Sequence, residues 1–173
     1  MDAELQRARF DEWLHAHFAI LDRAARGFAR DPVDRADLLQ ELMLAVWKAI
    51  PAYREQAQVS TFVYRVAHNA AMTWTRARRR ARGRDELAES VLVASGDPDD
   101  EDERERAVRL ERLYAAIREL AEVDRSLILL ALDGVAHREI AAIHGLSETN
   151  VGVRLHRIRK RLAERLDSGE TKS

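Results

Sequence analysis

The stretch from His137 to Leu162 constrains the fold more than any other part of the chain. Ala141 and Gly145 lie four apart. The small residue lets two helices approach closely, and the glycine can take the positive φ that a tight turn between them requires. Ser147 stands where an N-cap is wanted, with a hydroxyl to accept from the free N–H groups of the next turn. Val151, Leu155, Ile158 and Leu162 then recur at spacings of four, three and four, which makes one apolar stripe on a helix. Arg154, Arg157, Arg161 and Arg165 form a basic row beside it. Two helices, a turn and a cationic second helix predict a helix-turn-helix whose second helix lies in a DNA major groove. Two residues run against the pattern. Gly152, inside the second helix, is unfavourable by roughly 1 kcal/mol relative to alanine. Ala136, at the N-cap of the first helix, lacks the side-chain oxygen that would complete a capping box with Glu139, so that helix is expected to fray at its start.

A chain of 173 residues can make one domain or two small ones. Three prolines, seven glycines and short β-branched runs predict an all-α protein. The net charge of −1 conceals a segregated distribution. Ser60–Arg84 carries seven arginines and no acid, Asp85–Glu105 carries ten acids and one arginine, and Arg154–Arg165 carries six basic residues and one acid. Two separate segments therefore suit a polyanion, and the one between them does not.

Helical periodicity runs from about Ala3 to Gly27, with Phe10, Leu14, Phe18, Leu21 and Ala25 near one face, and breaks at Asp31-Pro32. A second helix is expected from Arg35 to Ile50, ending before Pro51. After a polar connection over Pro51–Val59, Ser60 is expected to cap a third helix reaching Arg82, with Val63, Val66, Ala67 and Ala70 on its apolar face. The acidic stretch is expected to be a mobile connector. Order should resume near Arg106, with Ala107, Leu110, Tyr114, Ile117 and Leu120 at helical spacing. Asp124 is expected to cap a short apolar helix ending at Asp133-Gly134. The expected architecture is two small helical domains, 1–84 and 106–167, joined by an acidic linker over 85–105 and followed by a polar tail over 168–173.

The run Asp37-Leu38-Leu39-Gln40-Glu41-Leu42-Met43-Leu44-Ala45-Val46-Trp47, then Ser60-Thr61-Phe62-Val63-Tyr64-Arg65-Val66-Ala67-His68-Asn69 and the Arg76–Arg84 cluster, resembles region 2 of bacterial sigma factors. The C-terminal half resembles their region 4, and the chain length and short connector resemble the extracytoplasmic-function (ECF) group of the sigma-70 family. The resemblance implies a subunit that directs core RNA polymerase to promoters and assists melting of the −10 element. It implies that Asp37, Gln40, Glu41, Met43 and Trp47 meet the polymerase β′ clamp, with carboxylates and an amide for arginines and two apolar anchors. It implies a pocket for an unstacked non-template base, where Tyr53 would stack and Asn69 would read a base edge, while Arg65, Arg76, Arg78, Arg79 and Arg80 hold phosphates. Region 4 would contact the β flap and read the −35 element through Ser147, Asn150, Val153, Arg154, His156 and Arg157. The family often carries a basic residue where Gly152 stands, usually tryptophan where Phe62 stands and often proline where Ala121 stands. In the family the connector threads the channel that RNA later occupies. An anti-sigma factor is a further partner implied by the resemblance alone.

Other classes find little support. There is no cysteine, hence no disulfide framework and no cysteine-based zinc site. The six histidines are scattered, without neighbouring carboxylates at ligand spacing, so no metal or cofactor is expected. No phosphate-cradling glycine loop and no nucleophile elbow is present, so no catalytic residue is assigned and the chain is not expected to be an enzyme. The N-terminus lacks the apolar core of a signal peptide, and the longest strongly apolar run, Leu127–Leu132, is too short to span a bilayer; a cytoplasmic protein without membrane insertion is expected. The competing reading is a helix-turn-helix transcriptional regulator whose N-terminal half senses a ligand or dimerises.

Overall fold

The computed structural model describes residues 2–82 and 101–170. Seven α-helices are found among them: α1 Ala3–Phe28, α2 Pro32–Ala49, α3 Val59–Arg82, α4 Glu101–Arg118, α5 Glu122–Leu132, α6 His137–His144 and α7 Glu148–Glu170. A short 3-10 turn, Ile50–Ala52, follows α2. Among the described residues no helix is long and apolar enough to cross a membrane.

Helices α1, α2 and α3 pack into an N-terminal bundle. Its centre is built from Leu21 and Ala25 of α1, Leu38, Leu42 and Val46 of α2, and Val63, Ala67 and Ala71 of α3, all at most 2% exposed. The inward face of α1 is rotated from the expected one. Trp13, Ile20, Leu21, Ala24, Ala25 and Phe28 are buried, whereas Phe18 is 43% exposed. Helix α2 starts three residues earlier than expected, because Asp31 is its N-cap, accepting from the Asp34 N–H at 2.7 Å, and Pro32 fills the first turn, where a missing N–H costs nothing. Helix α3 begins at Val59, so Ser60 lies inside the first turn and is not the cap.

Helices α4 to α7 form the C-terminal unit. Helix α4 begins at Glu101, so residues 101–105 of the expected connector are helical; residues 83–100 lie outside the described residues. Its first turns stand away from the core, which leaves Leu110 45% exposed, while Tyr114, Ile117 and Leu120 are buried as expected. Asp124 lies within the first turn of α5 and Ala121 is the N-cap, without a side-chain cap bond.

The two units pack directly on each other. Arg125 of α5 is 6% exposed, yet its Nη2 donates to the Leu120 carbonyl at 3.1 Å and to the Arg118 carbonyl, closing the open end of α4. Its guanidinium also lies 5.2 Å from the Phe28 ring of α1. Burial lowers the Arg125 pKa to about 10, still protonated at neutral pH. Arg118 Nη1 donates to the Arg26 carbonyl at 3.0 Å, and Arg23 pairs with Asp133. Gly27 permits this approach: a Cβ there would lie 2.4 Å from Leu129 Cδ1 of α5.

At the centre of the junction a hydrogen-bonded chain links three helices. His68 Nδ1 of α3 lies 2.6 Å from Ser126 Oγ of α5, which lies 2.9 Å from His144 Nε2 of α6. A serine has one hydrogen to give, so one imidazole accepts it and the other donates. The ring that accepts must be neutral, and burial favours the neutral form of the other. Burial between the Phe28 and Tyr64 rings lowers His68 to about 3, and the nearby His144 ring adds to the shift. Burial and Arg154 lower His144 as well.

Two predictions follow from this packing. The unfolded chain takes up a proton on His68 near the ordinary histidine value of 6.5, and the folded chain only near 3. Stability from this group is therefore full above about pH 6.5 and declines as pH falls towards 3, by about 1 kcal/mol at pH 5.5. Urea midpoints should fall between pH 7.5 and 5.5 in the wild type and less in His68→Asn; equal slopes in both would contradict the assignment. The second concerns the Arg78–Asp34 ion pair, which ties α3 to α2 with the Asp34 side chain 3% exposed. Truncation of Arg78 to alanine removes a cationic partner of this nearly enclosed carboxylate and should cost roughly 2 kcal/mol, less than the roughly 3–5 of a fully enclosed pair because Arg78 is half in water. Thermal melting checks it, and an unchanged midpoint would refute it.

Candidate nucleic-acid interface

The turn between α6 and α7 has the geometry that the residue types demand. Gly145 sits at φ 65° and ψ 34°, and Leu146 N–H returns to the Ala141 carbonyl at 3.0 Å, closing the end of α6. Ser147 Oγ accepts from Asn150 N–H at 3.2 Å and starts α7. At the front of α6, Glu139 Oε2 accepts from the Ala136 N–H at 3.4 Å. This is the half of a capping box that does not need a serine, so the start of α6 is tied from one side.

Val151, Leu155, Ile158 and Leu162 are all buried, as their spacing predicts. This sets what α7 turns outward: Asn150, Val153, His156 and Arg157 are exposed on the opposite side. Val153 is 46% exposed, a β-branched apolar side chain facing water, suited to a thymine methyl. Arg154 is placed differently. Its Nε and Nη2 both reach Asp124 Oδ1, at 2.9 and 2.6 Å, so its guanidinium is held against α5. At Gly152 a Cβ would meet only His137 Nδ1, at an ordinary 3.9 Å, so internal packing does not require the glycine.

The N-terminal bundle carries a second surface. Arg65 and Asn69, one turn apart on α3, are both exposed. Arg65 lies over the Phe62 ring at 5.4 Å, and Asn69 keeps its side chain outward while its carbonyl accepts from Thr73. Tyr53 does not stand as an open stacking platform. Its ring meets Trp13 at 5.1 Å and Phe62 at 5.0 Å, and its hydroxyl donates to the Ala57 carbonyl. In the same connection Glu55 holds φ 58°, a left-handed conformation that is sparse outside glycine, and pairs with Arg9 at 3.5 Å.

The arginine cluster divides in three. Arg78 belongs to Asp34 and partly covers Trp74, with 5.8 Å from guanidinium to ring. Arg76 and Arg79 both reach Glu122, at 2.8 and 2.9 Å. Arg80 joins Arg76, Arg79 and Arg154 around a cleft of 570 Å³ that is also lined by Ala121, Glu122 and Val123.

On α2, Asp37, Gln40 and Glu41 are exposed along one face. Trp47 and Met43 are half-buried: Trp47 packs edge-on against Phe10 at 5.4 Å, and its carbonyl accepts from Gln6 at 2.9 Å. The apolar residues this face does present are Leu44, 42% exposed, and Val33, 69% exposed. Leu44 follows Gln40 by four and Glu41 by three, so helical spacing alone places it on this face.

Two family descriptions match the chain. Sigma-70 region 2 matches residues 13–81, and Sigma-70 region 4 matches residues 110–162. The chain is 30% identical over 160 residues to the RNA polymerase sigma-E factor of Streptomyces avermitilis, covering 92% of this chain and 86% of that protein. It is 30% identical over 172 residues to the ECF RNA polymerase sigma factor SigM of Mycobacterium tuberculosis, covering 95% and 84%. Its fold resembles the sigma factor RpoE from Bartonella quintana, solved in complex with the anti-sigma factor NepR, with a TM-score of 0.71 at 21% identity over 92% of this chain and 97% of that one. The N-terminal match is to a sigma region, so the reading of that half as a sensing or dimerisation domain is the less well supported. With a region 2 bundle and a region 4 helix-turn-helix in one short chain, the protein belongs to the sigma-70 family, in its ECF group, and is a sigma factor that directs core RNA polymerase to promoters.

Proposed function

We propose a division of labour among three surfaces of this sigma factor. The observation that carries it is the exposed face of α7, where Asn150, Val153, His156 and Arg157 look outward because the stripe Val151, Leu155, Ile158 and Leu162 is buried. That face reads the −35 element. Arg157 supplies a base or phosphate contact, Asn150 a base edge and Val153 an apolar contact. Ser147 acts as the cap that aims the helix. Arg154 reaches DNA only after release from Asp124.

The −10 face is Arg65 and Asn69 on α3, continued along the helix by Arg76, Arg79 and Arg80. Asn69 offers both a donor and an acceptor to the edge of an extruded base. Tyr53 supports the neighbouring connection with its ring packed inward, and Arg78 anchors α3 to α2. The polymerase face is Asp37, Gln40 and Glu41 with Leu44 as apolar anchor, meeting the β′ clamp, while Met43 and Trp47 brace it from behind. Region 4 meets the β flap. The N-terminal domain is the α1–α3 bundle and the C-terminal one the α4–α7 unit, whose last helix runs to Glu170, past residue 167, where the expected polar tail was to begin. The chain acts in the cytoplasm, as a specificity subunit without catalysis of its own. Since RpoE of Bartonella quintana was solved with an anti-sigma factor, a partner of that kind is part of this reading.

Two substitutions separate these roles. Arg157→Glu should weaken promoter binding by the holoenzyme at least tenfold and lower the salt dependence by about one charge, with core polymerase binding unchanged. Loss of core binding in that variant would refute the division. Asn69→Ala should impair strand opening, read by permanganate footprinting, more than closed-complex formation, read by gel shift. Equal loss at both steps would remove Asn69 from the base pocket.

A further inference from the structure

Helix α7 packs on α5 and α6, and the two meet it at different borders of its outward face. Successive residues of a helix turn by about 100°, so Gly152 and Arg154 stand on either side of Val153, which points away from the buried stripe. The Arg154 border belongs to α5, whose Asp124 holds the guanidinium. The Gly152 border belongs to α6. A Cβ at Gly152 would meet only Nδ1 of His137, at 3.9 Å. His137 is the first residue of α6 and is half-buried, so its ring stands against bare backbone of the recognition helix. One turn further along the same border is His156, which is exposed. A glycine inside a helix is unfavourable by roughly 1 kcal/mol, and packing does not require this one. Its effect is to leave the border to the His137 ring, with no side chain at 152 to compete for the place.

We propose that His137 contacts a phosphate beside the −35 element, over the gap that Gly152 leaves, and that protonation of its ring tightens promoter binding. This rests on the reading of α7 as the −35 face. In a helix-turn-helix the first helix crosses the sugar–phosphate backbone while the second enters the groove. A ring at the start of α6, beside the second helix, is therefore placed for a phosphate rather than a base. Neutral imidazole has one N–H to give; the cation has two and adds charge, so the contact strengthens as pH falls. Of the other groups around the ring, several are already engaged. Glu139 accepts from the Ala136 N–H and from Thr61 of α3, His144 is turned to Ser126, and Asp133 at the end of α5 pairs with Arg23. Arg138 on α6, Glu148 and His156 on α7, and Arg65 on α3, one turn beyond Thr61, are exposed.

The test uses holoenzyme made from the full chain and core polymerase. Its probe is a promoter duplex that the wild-type holoenzyme selects from DNA randomised at −35. Binding is measured at pH 8 and pH 6 over a range of salt. His137→Gln keeps a donor without a charge, and His137→Lys keeps a charge at either pH. On going to pH 6 the wild type should gain about fivefold more affinity than His137→Gln, and its salt slope should steepen by about one charge more. His137→Lys should bind at pH 8 about as tightly as the wild type at pH 6, with no more response to pH than His137→Gln. His156 and the polymerase titrate in all three forms, so their part cancels. Equal pH responses in the wild type and His137→Gln would overturn the proposal. So would equal weakening of both variants at both pH values, which is the mark of a structural role. Circular dichroism checks folding; if His137→Gln does not fold, a wild-type pH response in His137→Lys overturns the proposal by itself. Arg157→Glu separates the two levels. If it weakens binding while both His137 variants behave as the wild type, the phosphate contact falls and the −35 face stands. If Arg157→Glu binds as the wild type does, the face is not read, and the contact at its border falls with it.

Discussion

Guanidinium–carboxylate pairing decides which arginines of this molecule are structural and which are poised for another partner. Two helices carry dense positive charge, and the structure neutralises it locally. Asp34 holds Arg78 inside the N-terminal bundle, Asp124 holds Arg154 inside the C-terminal unit, and Glu122 reaches between the two to Arg76 and Arg79. The first pair is anchored by a nearly enclosed carboxylate, so it belongs to the fold. The Glu122 pairs present their arginines to water, where a phosphate chain can compete.

In the proposed reading one promoter is gripped at two places, and the design of each grip follows from helix packing. On α7 the apolar stripe fixes rotation about the helix axis, and the Gly145 turn fixes its direction relative to α6. On α3 Val63, Ala67 and Ala71 are buried in the bundle, which turns Arg65 and Asn69 outward. Neither grip depends on a loop for its register. The junction between the units adds a polar centre, in which two neutral imidazoles share one serine hydroxyl. Such a centre is satisfied in one arrangement of partners and left incomplete when the units move apart.

Much of this was legible in the residues. The turn glycine, the serine cap and the stripe on α7 follow from local stereochemistry, and each stands where its chemistry puts it. The two cationic segments were visible as charge blocks. What was not legible depended on partners distant in sequence. Nothing near Arg78 announces Asp34, 44 residues away, and nothing near Arg154 announces Asp124. Tyr53 reads as a free aromatic until Trp13 and Phe62 are placed beside it. Trp47 drew attention as an anchor, but Phe10 from α1 takes up one side of it and leaves Leu44 outside. Helix starts moved for local reasons: Asp31 with Pro32 is a stronger N-terminal signal for α2 than a break before it.

The central claim is that this chain supplies promoter selection to a polymerase rather than binding DNA for a purpose of its own. Reconstitution tests that most directly. Purified protein mixed with bacterial core RNA polymerase should co-elute as a holoenzyme and yield transcripts with a defined 5′ end from its cognate promoter, where core alone yields none. A protein that binds duplex promoter DNA by itself but neither co-elutes with core nor changes where transcripts begin would contradict the account.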